Sequence, residues 1–296
     1  MRCDGVCLSE ALTGKLVLIL GDSITHAGGW VVALESCLRC QHPDRLVQLT
    51  NLGLPSEMIG EHQDDGEHAR RYGFPRPSLS QRLERTLDAL QPELVVACYG
   101  MNDGHGDVWN ERCFRSFQDG HRRLRDAAAQ RSLQLVHCTP PAYDAQAPQP
   151  ILHPHYDQVL ARYAEWLLNQ RDEGWAVIDV HRPMVMALAD RRRSDPSAIF
   201  SIDGVHPDDC GHWAMAQGVF AALGDDAAAA APSLEAMLPE RLTRLPALVR
   251  QRQEVLRDAW LSHITHTRPH VAHGLPLADA QASASDIEQR ILQLFG

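Results

Sequence analysis

The 296-residue sequence lacks several features that would assign it to broad classes of protein. No stretch approaches the roughly 18–20 consecutive apolar residues of a membrane-spanning helix, which excludes a helical membrane protein. Positive charge is in deficit, with 28 Lys and Arg against 38 Asp and Glu and a formal charge of −10. That balance opposes the phosphate-neutralising surface that nucleic-acid binding needs, and it disfavours anionic membranes. It suits small neutral or carbohydrate ligands. The first residues, Met1 to Cys7, lack the apolar core of a secretory signal, so the expectation is a cytoplasmic protein or an exported one whose leader has been removed. No internal repeat is visible. The only segment of low complexity is the Ala-rich one after Asp226.

Metal-ligand sets are also missing. Cys37 and Cys40 have redox or zinc spacing, but no second pair accompanies them and they fall on the first expected helix. His153 with His155, and His263 with His266, lack convergent carboxylates or cysteines. No metal or other cofactor is therefore expected. Cys98 and Cys138 sit in apolar runs as reduced core residues, whereas Cys3 and Cys7 are placed to pair in an oxidising compartment.

Hydrophobic residues make up 44% of the chain, ample for a buried core. Five apolar runs, 16–20, 46–52, 94–99, 133–139 and 176–180, read as buried parallel strands. Helical patterns lie between them. Leu79, Leu83, Leu87 and Leu90 form one stripe behind a Ser78/Gln81 capping box. Residues 113–131 and 156–170 give two more helices, and Asp208 caps another that runs to Leu223. Strand–helix alternation implies a parallel sheet covered on both faces. The expected fold is a three-layer α/β/α sandwich of flavodoxin-like type, with five strands in the order 2-1-3-4-5. Residues 1–224 form its catalytic domain and 225–232 a linker. Residues 233–296 form a helical extension packed on the core, with Pro246 in the first turn of a long helix.

Four short stretches carry chemistry. In Gly21-Asp22-Ser23-Ile24 a serine stands just past the first strand, where a helix start exposes its hydroxyl and aims its own amide at any oxyanion formed there. Asp22 and Ser23 would equally serve an ordinary turn or helix cap. In Asp203-Gly204-Val205-His206-Pro207 a carboxylate three residues before a histidine can hold one ring nitrogen, leaving the other free to deprotonate Ser23. Asn51-Leu52-Gly53 offers a glycine amide that a substrate can approach closely. Gly100-Met101-Asn102-Asp103 offers a side-chain amide in a tight loop that Asp103 braces. The amides of Ser23 and Gly53 and the Asn102 side chain are thus the expected oxyanion donors. Weaker candidates for contacting substrate are Asp22, then Tyr72, Phe74 and Arg76 in the long loop after the second strand. Trp260, in the extension, is placed either over the crevice or, on its apolar stripe, in packing.

These blocks resemble those of the SGNH (GDSL-like) hydrolase superfamily of esterases and lipases, over residues 16–223. Ile24 stands where the name-giving motif has leucine, and the tail beyond Pro232 lies outside the minimal fold. The resemblance implies Ser23 as nucleophile, His206 as base, Asp203 as its partner and an acyl-enzyme route needing no cofactor. The favoured substrate is an acetyl ester on a carbohydrate. A general short-chain carboxylesterase or lysophospholipase-like enzyme is the alternative, and a catalytically inactive carbohydrate-binding or scaffold protein is the alternative of another class. The expected partner is a small ester substrate, not nucleic acid; oligomeric state is not legible.

Overall fold

The structure, a computed structural model, describes residues 2–3, 6–7, 12–61 and 66–296. The pairing expected of Cys3 and Cys7 concerns side chains outside those described. Five strands form the central sheet: β1 (Leu16–Gly21), β2 (Gln48–Asn51), β3 (Leu94–Cys98), β4 (Gln134–Cys138) and β5 (Ala176–Ile178). All pair in parallel, in the spatial order β2-β1-β3-β4-β5, which is the expected order. Val17, Leu18, Ile19 and Leu20 are all fully buried although their side chains alternate between faces. Such two-sided burial is why these strands read as continuous apolar runs rather than alternating ones. β2 is shorter than expected because it is an edge strand and Leu46, before it, is exposed.

Helices α1 (Ser23–Ala27) and α2 (Gly29–Gln41) follow β1; α3 (Gly66–Tyr72) and α4 (Leu83–Leu90) follow β2. Then come α5 (Glu111–Gln130), α6 (Tyr156–Asn169), α7 (His181–Ser194) and α8 (Asp209–Leu223). Several boundaries trace to a cap. Asn110 Oδ1 accepts from the Arg112 and Cys113 amides at 2.9 and 3.4 Å, so α5 starts two residues earlier than its apolar stripe. Asp208 Oδ1 accepts from the Gly211 amide at 2.8 Å and opens α8. The stripe beginning at Leu79 is split: a 3₁₀ turn (Leu79–Gln81) precedes α4, and the break falls at Arg82, whose guanidinium is turned into the core.

Residues 225–232, expected to link core and tail, contain α9 (Asp226–Ala230), with Ala228 fully buried. Trp213 Nε1 and Gln217 Nε2 on α8 each donate to Ala231 O at 2.9 Å, which pins this segment to the core. Beyond it lie α10 (Leu234–Met237), α11 (Leu245–Ile264) and α12 (Leu277–Leu292). Leu245, Leu248 and Val249 of α11 and Ile287 and Ile291 of α12 bury a small core against Val32 of α2. A buried ion network reinforces it. Glu35 on α2 accepts from Arg39 Nε at 2.8 Å, Arg252 Nη2 at 2.6 Å and Gln253 Nε2 at 2.7 Å, and Arg39 also grips Glu288 on α12. No helix among the described residues is long and apolar enough to cross a membrane.

Candidate active site

The first three motifs follow the carboxyl ends of β1, β2 and β3, adjacent strands at one rim of the sheet, where open α/β folds bind ligands. At Gly21 the chain turns so tightly that a Cβ would overlap Thr25 Oγ1 and lie 2.7 Å from Cys98 O. Asp22 then caps α1, its Oδ1 accepting from the Ile24 amide at 3.0 Å, and Ser23 opens the helix. Ser23 stays partly exposed while Asp22 and Ile24 on either side are buried.

Ser23 and His206, 183 residues apart in the chain, meet here: Ser23 Oγ lies 2.9 Å from His206 Nε2. His206 Nδ1 in turn donates to Asp203 Oδ2 at 2.7 Å. Asp203 Oδ1 accepts from Ser201 Oγ and from the Val205 and His206 amides, each at 2.8 Å. Partial burial raises the carboxyl of Asp203, but the His206 ring and these donors outweigh it and hold the group at about 2. The carboxylate is thus fixed in place and ionised, which favours the His206 tautomer with Nε2 free to accept a proton.

The expected oxyanion donors are placed less uniformly. Asn102 Nδ2 gives one hydrogen to Glu57 O at 3.2 Å, and its second hydrogen meets no acceptor among the described residues. Asp103 Oδ1 accepts from the Gly60 amide at 2.9 Å, tying the loop after β3 to the loop after β2. The Gly53 amide, however, donates to Asn51 Oδ1 at 2.9 Å, so this donor is satisfied inside the protein. Gly53 is instead a site of close approach: a Cβ there would overlap His26 N and lie 2.9 Å from Asp22 O, on the backbone of α1. Three residues on, Ser56 has φ +65° in a turn closed by the Glu57 amide on Leu54 O at 3.1 Å. A side chain there costs roughly 1–2 kcal/mol, and such strain gathers at functional sites. The Ser56 amide donates to no described group, and the next residue holds Asn102. The sequence reading missed Ser56; the Pro55-Ser56 turn dipeptide was the available signal.

Buried polar groups underlie this rim. Asp22 Oδ2 has no hydrogen-bond partner among the described residues, and burial pushes its carboxyl up to about 6 despite the Ile24 amide. Below the Ser56 turn, fully buried Glu57 accepts from Arg82 Nε at 2.7 Å, Arg82 Nη2 at 2.6 Å and Tyr99 Oη at 2.6 Å. Arg82 Nη2 also donates to Leu52 O at 2.7 Å. The pair therefore holds both ends of the Leu52–Glu57 loop. Hydrophobic patterning offered no sign of it.

The weaker candidates separate. Tyr72 and Arg76 line a polar crevice of about 450 Å³ beside the loop that continues from Asn102, together with Gly104, His105, Trp109 and His153. Phe74 is buried instead, with the Arg268 guanidinium 4.0 Å above its ring. Trp260 does not reach the rim. It lines a groove with Leu16 and Gln48, at the strand starts and so at the opposite end of the sheet from Ser23, because its position on the α11 stripe turns it toward β1, β2 and α12. A separate apolar cavity of about 530 Å³ lies between α7 and residues 200–207; neither Ser23 nor His206 lines this cavity or the polar crevice.

The profile of the GDSL-like lipase/acylhydrolase family matches residues 19–214, and the chain belongs to that family. It is a serine hydrolase acting on ester bonds. No curated relative matches the sequence. Among solved structures the fold is similar to that of BT4096, a gut microbial diltiazem-metabolizing enzyme, with TM-score 0.54 and 19% identity over 71% of this chain. The match spans only 47% of that longer protein. It is also similar to LAE5, an α/β hydrolase from the metagenome of Lake Arreo, Spain, with TM-score 0.53, 20% identity and coverage of 72% of this chain and 96% of the other. A variant of Axe2, an acetyl-xylooligosaccharide esterase from Geobacillus, gives TM-score 0.51 at 18% identity, covering 72% and 95%.

Proposed function

We propose that the enzyme removes short acyl groups, acetyl foremost, from a carbohydrate, with Ser23 as nucleophile, His206 as acid–base and Asp203 as the orienting carboxylate. The observation that carries this reading is the unbroken chain Ser23 Oγ–His206 Nε2 at 2.9 Å and His206 Nδ1–Asp203 Oδ2 at 2.7 Å. His206 takes the Ser23 proton as the hydroxyl attacks the ester carbonyl. The resulting oxyanion is held by the Ser23 amide, the free hydrogen of Asn102 Nδ2 and the Ser56 amide, which takes the place expected of Gly53. His206 then protonates the leaving alcohol. Water repeats the cycle to release the acid and restore Ser23.

The carbohydrate part of the proposal draws on the crevice at Tyr72, Arg76, His105, Trp109 and His153, rich in hydrogen-bonding groups and aromatic faces. The fold-level neighbour Axe2 is named for the same class of substrate. A second reading has its own support. Tyr72, Val108, Ile151 and Ile202 are 48, 52, 41 and 60% exposed; the first three line this crevice, and Ile202 adjoins Asp203. An apolar border of this kind suits a short-chain carboxylesterase acting on esters of apolar alcohols. Rates on acetylated xylan, p-nitrophenyl acetate, p-nitrophenyl octanoate and phospholipid separate the two. Hydrolysis of p-nitrophenyl acetate with no release of acetate from acetylated xylan would end the carbohydrate reading in favour of the second, and preference for the octanoyl ester over both acetyl substrates would end both. Full activity in Ser23→Ala, or failure of Ser23 to react with an organophosphonate, would end the catalytic assignment itself.

A further inference from the structure

The segment that matches the family ends at residue 214, yet α11, some thirty residues beyond, reaches the helix that bears Ser23. Arg257 Nη1 donates to His26 O at 2.6 Å, and Arg250 Nη1 donates to Ala27 O at 3.2 Å. The preceding carbonyl, Thr25 O, accepts from Asn51 Nδ2 at 2.6 Å. The last carbonyls of any helix have no partner within it. In α1, three in succession are taken from outside, one by β2 and two by α11. Guanidinium groups there also complement the negative end of the helix dipole.

The clamp acts over a short distance. α1 has five residues, so Ser23 at its start lies only about 6 Å along the axis from the residues that are held. A tilt at one end is therefore a displacement at the other. The His26 ring closes the arrangement, its Nδ1 donating to Gly53 O at 3.0 Å. Burial, with the charge of Arg257, depresses this imidazole to about 4, which keeps it a neutral donor above that pH.

The helix that carries the arginines is itself anchored along its length. Arg252 and Gln253, between them in sequence, are bound to buried Glu35. At its far end Arg85 Nε donates to Ile264 O at 3.0 Å, and Thr267 Oγ1 donates to Gln81 Oε1 at 2.7 Å. Arg257 has a side chain only 12% exposed and is steadied by Asp258 at 2.8 Å.

We propose that Arg257, with Arg250, is a positioning residue for the nucleophile: the appended helix α11 holds α1 so that Ser23 stays aligned with His206. The inference rests on the assignment of Ser23 as nucleophile. Neither arginine takes part in bond making.

The test uses the full chain carrying Arg257→Ala, Arg250→Ala with Arg257→Ala, and Arg257→Lys, beside Ser23→Ala. Steady-state kinetics on p-nitrophenyl acetate, the rate of Ser23 phosphonylation and thermal unfolding are measured for each. The double Ala variant is expected to lose about 10–100-fold in kcat and in phosphonylation rate, since small misplacements of reacting groups cost that much. Its KM should stay within about twofold. Arg257→Lys, which keeps a donor for His26 O, should recover much of the rate. Wild-type kcat in the double variant, with Ser23→Ala inactive, would overturn this inference alone. So would a kcat loss that simply follows lowered unfolding temperature, with Lys no better than Ala. An active Ser23→Ala would overturn the nucleophile assignment, and this inference with it.

Discussion

Asp203→Asn tests the orienting role of the carboxylate with little change in shape. In the wild type, Asp203 Oδ1 accepts from Ser201 Oγ and two backbone amides, each at 2.8 Å, while Oδ2 accepts from His206 Nδ1 at 2.7 Å. Asparagine must keep its carbonyl oxygen toward the three donors, because an NH₂ placed there would face three donors at once. The NH₂ then faces His206 Nδ1 and is satisfied only if that nitrogen carries no proton. The ring proton moves to Nε2, the atom 2.9 Å from Ser23 Oγ, which can no longer accept from the serine. kcat should fall about 10⁴-fold, equivalent to about 5.5 kcal/mol of transition-state stabilisation. Stability should fall modestly, since the three bonds to the carbonyl oxygen persist and the fourth is reversed but all lose the charge of the carboxylate. The assay is steady-state hydrolysis of p-nitrophenyl acetate, with urea unfolding as the control on folding. A variant that keeps more than about a tenth of wild-type kcat would refute the reasoning, because no orienting carboxylate would then be needed.

Three other outcomes follow from the geometry. Burial raises Asp22 from 3.8 to about 6, so the folded state favours its protonated form and loses stability as pH rises through that window, by up to about 3 kcal/mol. Asp22→Asn, which keeps the cap on Ile24, should flatten the pH dependence of urea unfolding between about pH 4 and pH 6; an unchanged slope there would contradict this. Ser56→Gly should relieve roughly 1 kcal/mol of strain and leave kcat intact, because the amide and not the hydroxyl is proposed to act. A tenfold loss of kcat would point to the hydroxyl instead. Glu35→Ala takes the acceptor from Gln253 and leaves buried Arg39 and Arg252 to share Glu288 alone, and should cost about 3 kcal/mol in urea unfolding. A loss below about 1 kcal/mol would mean that the network does not hold the tail.

Legibility followed distance along the chain. Asp203 and His206 are three residues apart, and their pairing, like the caps at Asp22 and Asp208, was readable because such bonds form within one turn of backbone. Gly53 shows where this reasoning misleads. Asn51, two residues before it, has a side chain long enough to turn back and take its amide, a competition that residue types alone do not reveal. Trp260 belonged to an apolar stripe whose direction depends on which end of the sheet α11 crosses. Arg82 and Glu57 are charged residues that any hydropathy pattern assigns to the surface, and they are buried because each neutralises the other.

The order of strands and helices, the sheet they form and the rim at which Ser23 and Asn102 stand were determined by sequence alone. Two-sided burial writes itself as apolar runs, and parallel crossovers leave few arrangements open. Only the folded chain decided which amides remain unpaired at that rim, and that arginines from α11 reach the carbonyls of α1. Those contacts join residues more than two hundred positions apart, and no local preference encodes a hydrogen bond over that span.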